Sequence, residues 1–359
     1  MIKLLVVDDS ALMRRLLGEI FSHEGDFEVR AARDGLEALD ALQSFAPDVI
    51  TLDVHMPQMD GLDCLDRIMI ERPCPVVMVS SLTAAGADAT FEALRLGAVD
   101  FIAKPDGAVS LSIHEMAPLL VEKVRAAAGL RIKPSHRLKD RVRHRMAGAA
   151  GQARTLGKRP AQPPAVAAVG DGLVLVGTST GGPPALEALL TPLPADFPWP
   201  IVVVQHMPAS FTRPLAQRLD RICALSVEEV AAPALLAPGR VYIGKGDADI
   251  IVSRRAAGLV AMPAPAQKDY PWRPSTDRLV RSAMDILPPE QLIGVLMTGM
   301  GNDGAAAMAR LHELGGRTIA EAEETAVVWG MPGELVKANG ASWIEPLSGI
   351  ASRLRSLTP

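Results

Sequence analysis

Asp8, Asp9 and Asp53, with Ser80 and Lys104, are three carboxylates, a hydroxyl and an ammonium, and each closes a short apolar run. Clustered carboxylates repel one another at neutral pH unless a cation offsets them. Oxygen ligands with room for water suit Mg2+. Such a pocket can orient a phosphoryl donor and steady the charge on its oxygens. Asp8, Asp9 and Asp53 are therefore the candidate metal ligands. Asp53 is the candidate nucleophile, because a carboxylate can form an acyl phosphate. Lys104 would pair with one phosphoryl oxygen and Ser80 would hydrogen-bond another. Taken singly, each Asp reads equally well as a helix cap. The capping reading does not account for the whole set at successive strand ends.

A second set lies downstream. Gly177-Thr178-Ser179-Thr180-Gly181 fits G-x-S-x-G between a buried apolar run and a helical pattern,. The glycines permit a sharp turn that lifts Ser179 from the sheet edge. The helix start offers N–H groups to a developing oxyanion. A glycine-rich turn of this kind can also hold a phosphate or nucleotide, although GxGxxG and the Walker lysine are both missing. His206 follows the apolar run 201–205, and Asp303 lies in the glycine-rich stretch 298–304 after another such run. Alone, His206 reads as a structural strand-end histidine and Asp303 as an N-cap. Together with Ser179 they form a catalytic set: Ser179 attacks, His206 takes its proton, and Asp303 orients the imidazole. The order Ser…His…Asp differs from that of the α/β-hydrolases. His312, mid-helix beside Glu313, reads as surface or packing.

The elements that must position these groups alternate. Strands are expected at 3–7, 28–32, 49–52, 76–80 and 100–103. Helices are expected from Ser10, from Asp34-Gly35, after Asp60-Gly61, after Thr83 and over 114–127. Five strand–helix repeats predict a doubly wound parallel sheet. A second α/β region begins at Asp171. It has buried strands at 173–176, 201–204 and 292–297, and shorter antiparallel strands at 241–243, 250–253 and 259–262. Helices are expected after Gly182, after Ser210, over 276–284 and over 303–313. The fold class is thus α/β: a flavodoxin-like domain at 1–128 and a Rossmann-like domain at 171–359 carrying a small antiparallel hairpin region. Between them, 129–170 is basic and rich in Pro, Ala and Gly. From Arg131 to Arg159 it holds ten Lys or Arg against the single acid Asp140. It reads as a linker, either a plain spacer or a salt-sensitive docking segment for acidic surfaces.

Composition narrows the class. Hydrophobic residues at 48% suffice for two cores, and aromatics at 4% leave those cores to aliphatic side chains, which suits covered parallel sheets,. A net charge of −4 argues against nucleic acid as a partner,. No helix-turn-helix pattern follows residue 170. Cys64, Cys74 and Cys223 have no metal-ligand spacing and read as free thiols in a reducing cytoplasm,. No apolar run approaches the ~20 residues of a membrane span, so a cytoplasmic chain without stable membrane insertion is expected.

Residues 1 to about 127 resemble the receiver domain of bacterial two-component response regulators. The match lies in Val7-Asp8-Asp9-Ser10, the run from Leu52 to Gly61, Ser80, 98–101 and Lys104-Pro105. The resemblance implies Mg2+-dependent phosphorylation of Asp53 by a histidine kinase, with Ser80, Phe101 and Lys104 relaying the switch. Residues from about 172 to 356 resemble the catalytic domain of chemotaxis protein-glutamate methylesterases. The match lies in Gly177 to Pro183, Gln205-His206-Met207-Pro208 with Phe211-Thr212, Arg273-Pro274-Ser275, Thr298 to Ala305, and Gly330-Met331-Pro332. Lys104-Pro105-Asp106-Gly107 and Ser110-Leu111 resemble the receiver type of the same family. Tyr270-Pro271-Trp272 departs from it, since a His is common in the family before Arg-Pro-Ser. The resemblance implies hydrolysis of γ-glutamyl methyl esters on the cytoplasmic helices of methylated chemoreceptors, with deamidation of receptor glutamines as a related activity. It needs no cofactor for the esterase step. The triad is Ser179, His206 and Asp303, and the backbone N–H groups of Thr180 and Met300 are the candidate oxyanion hole. A phospho-switched binding module without catalysis is the competing reading.

Overall fold

The computed structural model describes residues 1–81, 83–104, 109–130 and 172–358, and of residues 84, 85 and 109–115 the backbone alone. The chain divides into two compact units, Met1–Ala153 and Arg154–Pro359, whose boundary falls outside the described residues. So do nearly all of the expected linker, 131–170, and the stretch Pro105-Asp106-Gly107.

In the first unit five parallel strands, β1 (Ile2–Val7), β2 (Phe27–Ala32), β3 (Val49–Asp53), β4 (Val76–Ser80) and β5 (Asp100–Ala103), lie in the order β2-β1-β3-β4-β5. That is the flavodoxin-like winding, with its switch point beside β1 and β3. The helices are α1 (Ala11–His23), α2 (Gly35–Ser44), α3 (Gly61–Glu71), α4 (Ala84–Leu96) and α5 (Val109–Ala128). The first four open on the N-caps Ser10, Asp34, Asp60 and Thr83, each accepting a backbone N–H of the first turn,. α5 begins five residues before the expected start at 114. Every residue of β3, β4 and β5 is buried, as a sheet covered on both faces requires,.

The second unit is built on seven parallel strands. They are β6 (Leu173–Thr178), β7 (Ile201–Gln205), β8 (Ser226–Val230), β10 (Arg240–Gly244), β13 (Leu292–Leu296), β14 (Arg317–Glu321) and β15 (Trp343–Glu345), in the order β15-β14-β13-β6-β7-β10-β8. A separate antiparallel sheet joins β9 (Ala234–Leu235), β11 (Asp249–Arg255) and β12 (Gly258–Ala264). The helices are α6 (Gly182–Leu190), α7 (Ala209–Ile222), α8 (Thr276–Met284), α9 (Ala305–Glu313), α10 (Met331–Lys337) and α11 (Leu347–Leu357).

One expectation is corrected here. Val241–Ile243 was expected in the antiparallel hairpin, but it pairs parallel with both β7 and β8 inside the main sheet. Val241, Tyr242 and Ile243 are fully buried, the pattern of an interior strand rather than a half-exposed hairpin,. β8, β14, β15, α10 and α11 had no counterpart in the sequence reading. The edge strands are short and half-polar, so neither period stands out in them,. Among the described residues no helix is long and apolar enough to cross a membrane.

Candidate active site

In the first unit the strand ends bring the predicted carboxylates together. Asp8, Asp9 and Asp53 each offer an oxygen within 4.8 Å of the others. Asp8 and Asp53 are buried, and Asp9 is exposed. Lys104 Nζ lies 2.9 Å from Asp8 Oδ2 and 2.8 Å from Asp53 Oδ2. Burial pushes the Asp8 carboxyl up, Lys104 opposes that, and the neighbouring Asp53 adds to it. Burial alone would lower the Lys104 ammonium, but the hydrogen bond to Asp53 and the charge of Asp8 outweigh it and hold it above its usual value. Asp8 Oδ2 is buried, and the Lys104 ammonium is the one cation paired with it among the described residues. Three converging carboxylates against one ammonium leave an all-oxygen donor set with excess negative charge, which a hard divalent cation would fit,.

The other two predicted residues are not drawn into that cluster. The Ser80 hydroxyl donates to the Gly86 carbonyl at 3.2 Å, at the start of α4. Phe101 is buried, with Lys123 Nζ 5.6 Å from its ring centroid. Lys123 also pairs with Asp100 at 2.8 Å.

In the second unit β13, β6 and β7 are adjacent, and the chain winds away from β6 in both directions. Their carboxyl ends therefore meet at the switch point of the sheet, where open α/β folds place ligands. Thr178 pairs in register with Gln205. Ser179 and His206 follow directly on these two strands, which run about 4.8 Å apart. His206 N donates to Thr178 O at 3.1 Å, and Ser179 N donates to Thr298 O, after β13, at 3.0 Å.

The turn at Ser179 is held by its neighbours. Gly181 takes φ +76, in the left-handed region,. A β-carbon at Gly182 would collide with Gln205 Oε1. That amide accepts from the Thr178 hydroxyl and donates through Nε2 to Ser179 O at 2.8 Å. Ser179 is 7% exposed. Its hydroxyl makes no hydrogen bond among the described residues.

His206 Nε2 lies 2.8 Å from Asp303 Oδ2. Its Nδ1 is buried without a partner. Trp272 stacks on the ring, with centroids 5.0 Å apart and planes 2° from parallel. Asp303 does not cap its own helix: α9 opens on Gly304, which has no side-chain cap bond. Instead Asp303 sits at the N-terminus of α8. It accepts from Thr276 N at 2.6 Å, Asp277 N at 3.1 Å and the Ser275 hydroxyl at 2.9 Å. Asp277 in return accepts from Ala307 N, in the first turn of α9, at 2.8 Å. Burial would raise the Asp303 carboxyl, but the His206 hydrogen bond and charge and the two backbone N–H groups hold it below the usual value. The helix end also favours negative charge there.

Thr298 ties the pieces together. It donates to Thr180 O at 2.8 Å, accepts from Val328 N at 3.0 Å, and its N–H reaches the buried Glu321 carboxylate at 2.8 Å. Burial pushes Glu321 up, against the bonds from Thr298 and Thr325. Thr180 and Met300 are buried beside Ser179 on these two loops. A pocket of about 310 Å³ opens next to Asp303, lined among others by Tyr270, Trp272, Arg281 and Asn302.

Gln205, Ser275, Thr276, Asp277, Glu321 and Trp272 thus serve the site in ways the spacing of Ser179, His206 and Asp303 does not reveal. The signal available for Gln205, Ser275 and Trp272 was their place in or beside a recognised motif; Glu321 had none, because its strand β14 was not read from the sequence. His312 packs, with Nδ1 3.0 Å from the Ser342 hydroxyl.

Residues 174–354 match the CheB methylesterase family, and residues 4–113 match the response regulator receiver domain. A protein-glutamate methylesterase/protein-glutamine glutaminase of Rhodopseudomonas palustris is 59% identical over 98% of this chain and 97% of its own length. One of Rhodospirillum rubrum is 54% identical over 99% and 96%. The CheB methylesterase catalytic domain of Thermotoga maritima aligns with a TM-score of 0.50 at 37% identity, covering 52% of this chain and 98% of that one. With both halves matched and near-identical length shared with these relatives, the chain belongs to the protein-glutamate methylesterase family, carrying a receiver domain ahead of a CheB methylesterase domain.

Proposed function

We propose that Ser179, His206 and Asp303 hydrolyse γ-glutamyl methyl esters on the cytoplasmic helices of methylated chemoreceptors. The observation that carries this is the His206–Asp303 hydrogen bond at 2.8 Å, with Ser179 at the end of the strand paired to that of His206. Because Asp303 engages Nε2, the nitrogen left to accept the Ser179 proton is the unpartnered Nδ1. The Ser179 hydroxyl, which makes no hydrogen bond among the described residues, is assigned as the donor to that nitrogen. The Ser179 oxygen then bonds to the ester carbonyl carbon as its proton passes to His206. His206 returns that proton to the departing methoxide, releasing methanol. Water, deprotonated in turn by His206, cleaves the acyl-enzyme to glutamate and free serine. On a glutamine the same steps release ammonia, the second activity in the relatives' names. The oxyanion is assigned to the backbone N–H groups of Thr180 and Met300. Nothing in this scheme calls for a cofactor in the esterase step.

The receiver domain is read as the control. Asp8, Asp9 and Asp53 would hold Mg2+, which supplies charge neutralisation for phosphoryl transfer. Asp53 accepts the phosphoryl group from a histidine kinase. Lys104 leaves its carboxylates to pair with a phosphoryl oxygen, while Ser80 turns from Gly86 toward the same group and Phe101 repacks behind it. The added −1.5 to −2 charge, roughly, biases a two-state surface and raises esterase turnover. Domain limits of 1–128 and 171–359 with a basic spacer at 129–170, and a cytoplasmic location, belong to the same reading.

The test is methanol release from methylated receptor, with and without a phosphodonor. Ser179→Ala should reduce turnover at least ~10³-fold, because triad members act as a unit. Wild-type turnover in that variant would end the assignment of Ser179 as nucleophile, and no methanol release from the wild-type chain would leave the binding-module reading.

A further inference from the structure

Trp272 lies flat against the His206 ring, at 5.0 Å between centroids and 2° between planes. The indole is also packed against Gly301. Gly301 has φ +73, and a β-carbon there would come within 2.7 Å of Trp272 Cζ2. The imidazole is thus gripped twice, in its plane by Asp303 through Nε2 and on one face by the indole.

These two contacts respond differently to catalysis. When Ser179 attacks, the imidazole becomes a delocalised cation. A cation within about 6 Å of an aromatic face is attracted by the ring quadrupole, most strongly for Trp. Flat stacking of a planar delocalised cation on an aromatic ring is the geometry arginine also adopts. Neutral imidazole gains far less from the same face. The stack therefore strengthens as the transition state forms, and only such differential interactions speed the chemical step. We infer that Trp272 is a positioning residue for the ester hydrolysis, whose π face stabilises the imidazolium of His206. This rests on the triad reading above.

If Trp272 merely fixed the ring or excluded water, indoles of equal shape and different electron density would serve alike. Fluorination separates the two roles, since each fluorine withdraws electron density with little change in shape. The experiment uses the full chain with Mg2+ and a phosphodonor. Trp272 alone is replaced site-specifically by mono-, di- and trifluorotryptophan, with Trp199, Trp329 and Trp343 unaltered. Methanol release from methylated chemoreceptor is followed at about pH 8.5, above the ordinary imidazole range.

The expected result is a stepwise fall in kcat with each fluorine at constant KM, and a roughly 3- to 30-fold loss for Trp272→Leu, with Trp272→Phe in between. A flat kcat across the fluorinated series, with Ser179→Ala inactive, would overturn the role of Trp272 and leave the triad standing. Full turnover in Ser179→Ala would overturn the triad and this inference with it.

Discussion

Asp303 accepts from a ring nitrogen, two backbone N–H groups and a hydroxyl, all while 3% exposed. A carboxylate can take all four, whereas an amide must turn an NH2 toward one of the donors. Asp303→Asn should therefore lower kcat on the order of 10³–10⁴-fold, by misdirecting the imidazole proton. It should also cost roughly 1–3 kcal/mol of stability through the mismatched donor. The pH dependence has a definite sign. The folded carboxyl titrates below its unfolded value, so its contribution is present above the unfolded pKa and is lost as pH falls through the folded one,. Urea unfolding should show wild type ahead of Asp303→Asn at pH 7, with the gap narrowing below about pH 4. A gap that widened in acid would contradict this assignment. The candidates Ser179, His206 and Asp303 were each picked out by motifs that follow apolar runs. The tautomer, the indole on the histidine face and the cradle of Asp303 were not, because each depends on residues 26 or more positions away along the chain.

At the scale of elements, three neighbouring strands carry the site, and tight packing between their ends sets its tolerance. Gly182 opens α6 against the Gln205 amide, which in turn holds Ser179 O and the Thr178 hydroxyl. Gly182→Ala should push that amide aside and cost about 1–3 kcal/mol by overpacking. Turnover should fall more steeply than stability, since a displacement near 1 Å in the nucleophile can cost about 10²-fold. Thermal unfolding and methanol release on the same sample would separate the two effects. A variant with wild-type turnover would show that Gln205 does not set the serine turn. α8 and α9 are linked by exchange: the carboxylate of Asp303 sits on the N-terminus of α8, and that of Asp277 on the first turn of α9. Most elements could be read from period and caps, because Ser10, Asp34, Asp60 and Thr83 mark helix starts chemically. Val241–Ile243 could not, since a short apolar run has no period that separates a hairpin strand from an interior parallel one.

Across the whole molecule, on the proposed reading, the two units carry separable chemistries, a phosphoryl-accepting cluster and a hydrolytic triad. Control of one by the other makes a direct prediction. Asp53→Asn should abolish the response of methanol release to a phosphodonor while leaving the unstimulated rate within about twofold, because without a donor the wild-type chain also occupies its unphosphorylated state. An undiminished phosphodonor response in that variant would place the control elsewhere.

Order along the chain, most helix starts, most buried strands and the candidate reactive groups could be read from the sequence itself. These are local properties, written in side-chain period, caps and glycine turns. Only the tertiary structure decided which strands are neighbours, which nitrogen of His206 meets Asp303, that Trp272 covers the imidazole and that Ser80 faces Gly86. Those outcomes are set by packing among segments far apart in the chain, and no local pattern encodes a contact whose two halves are read separately.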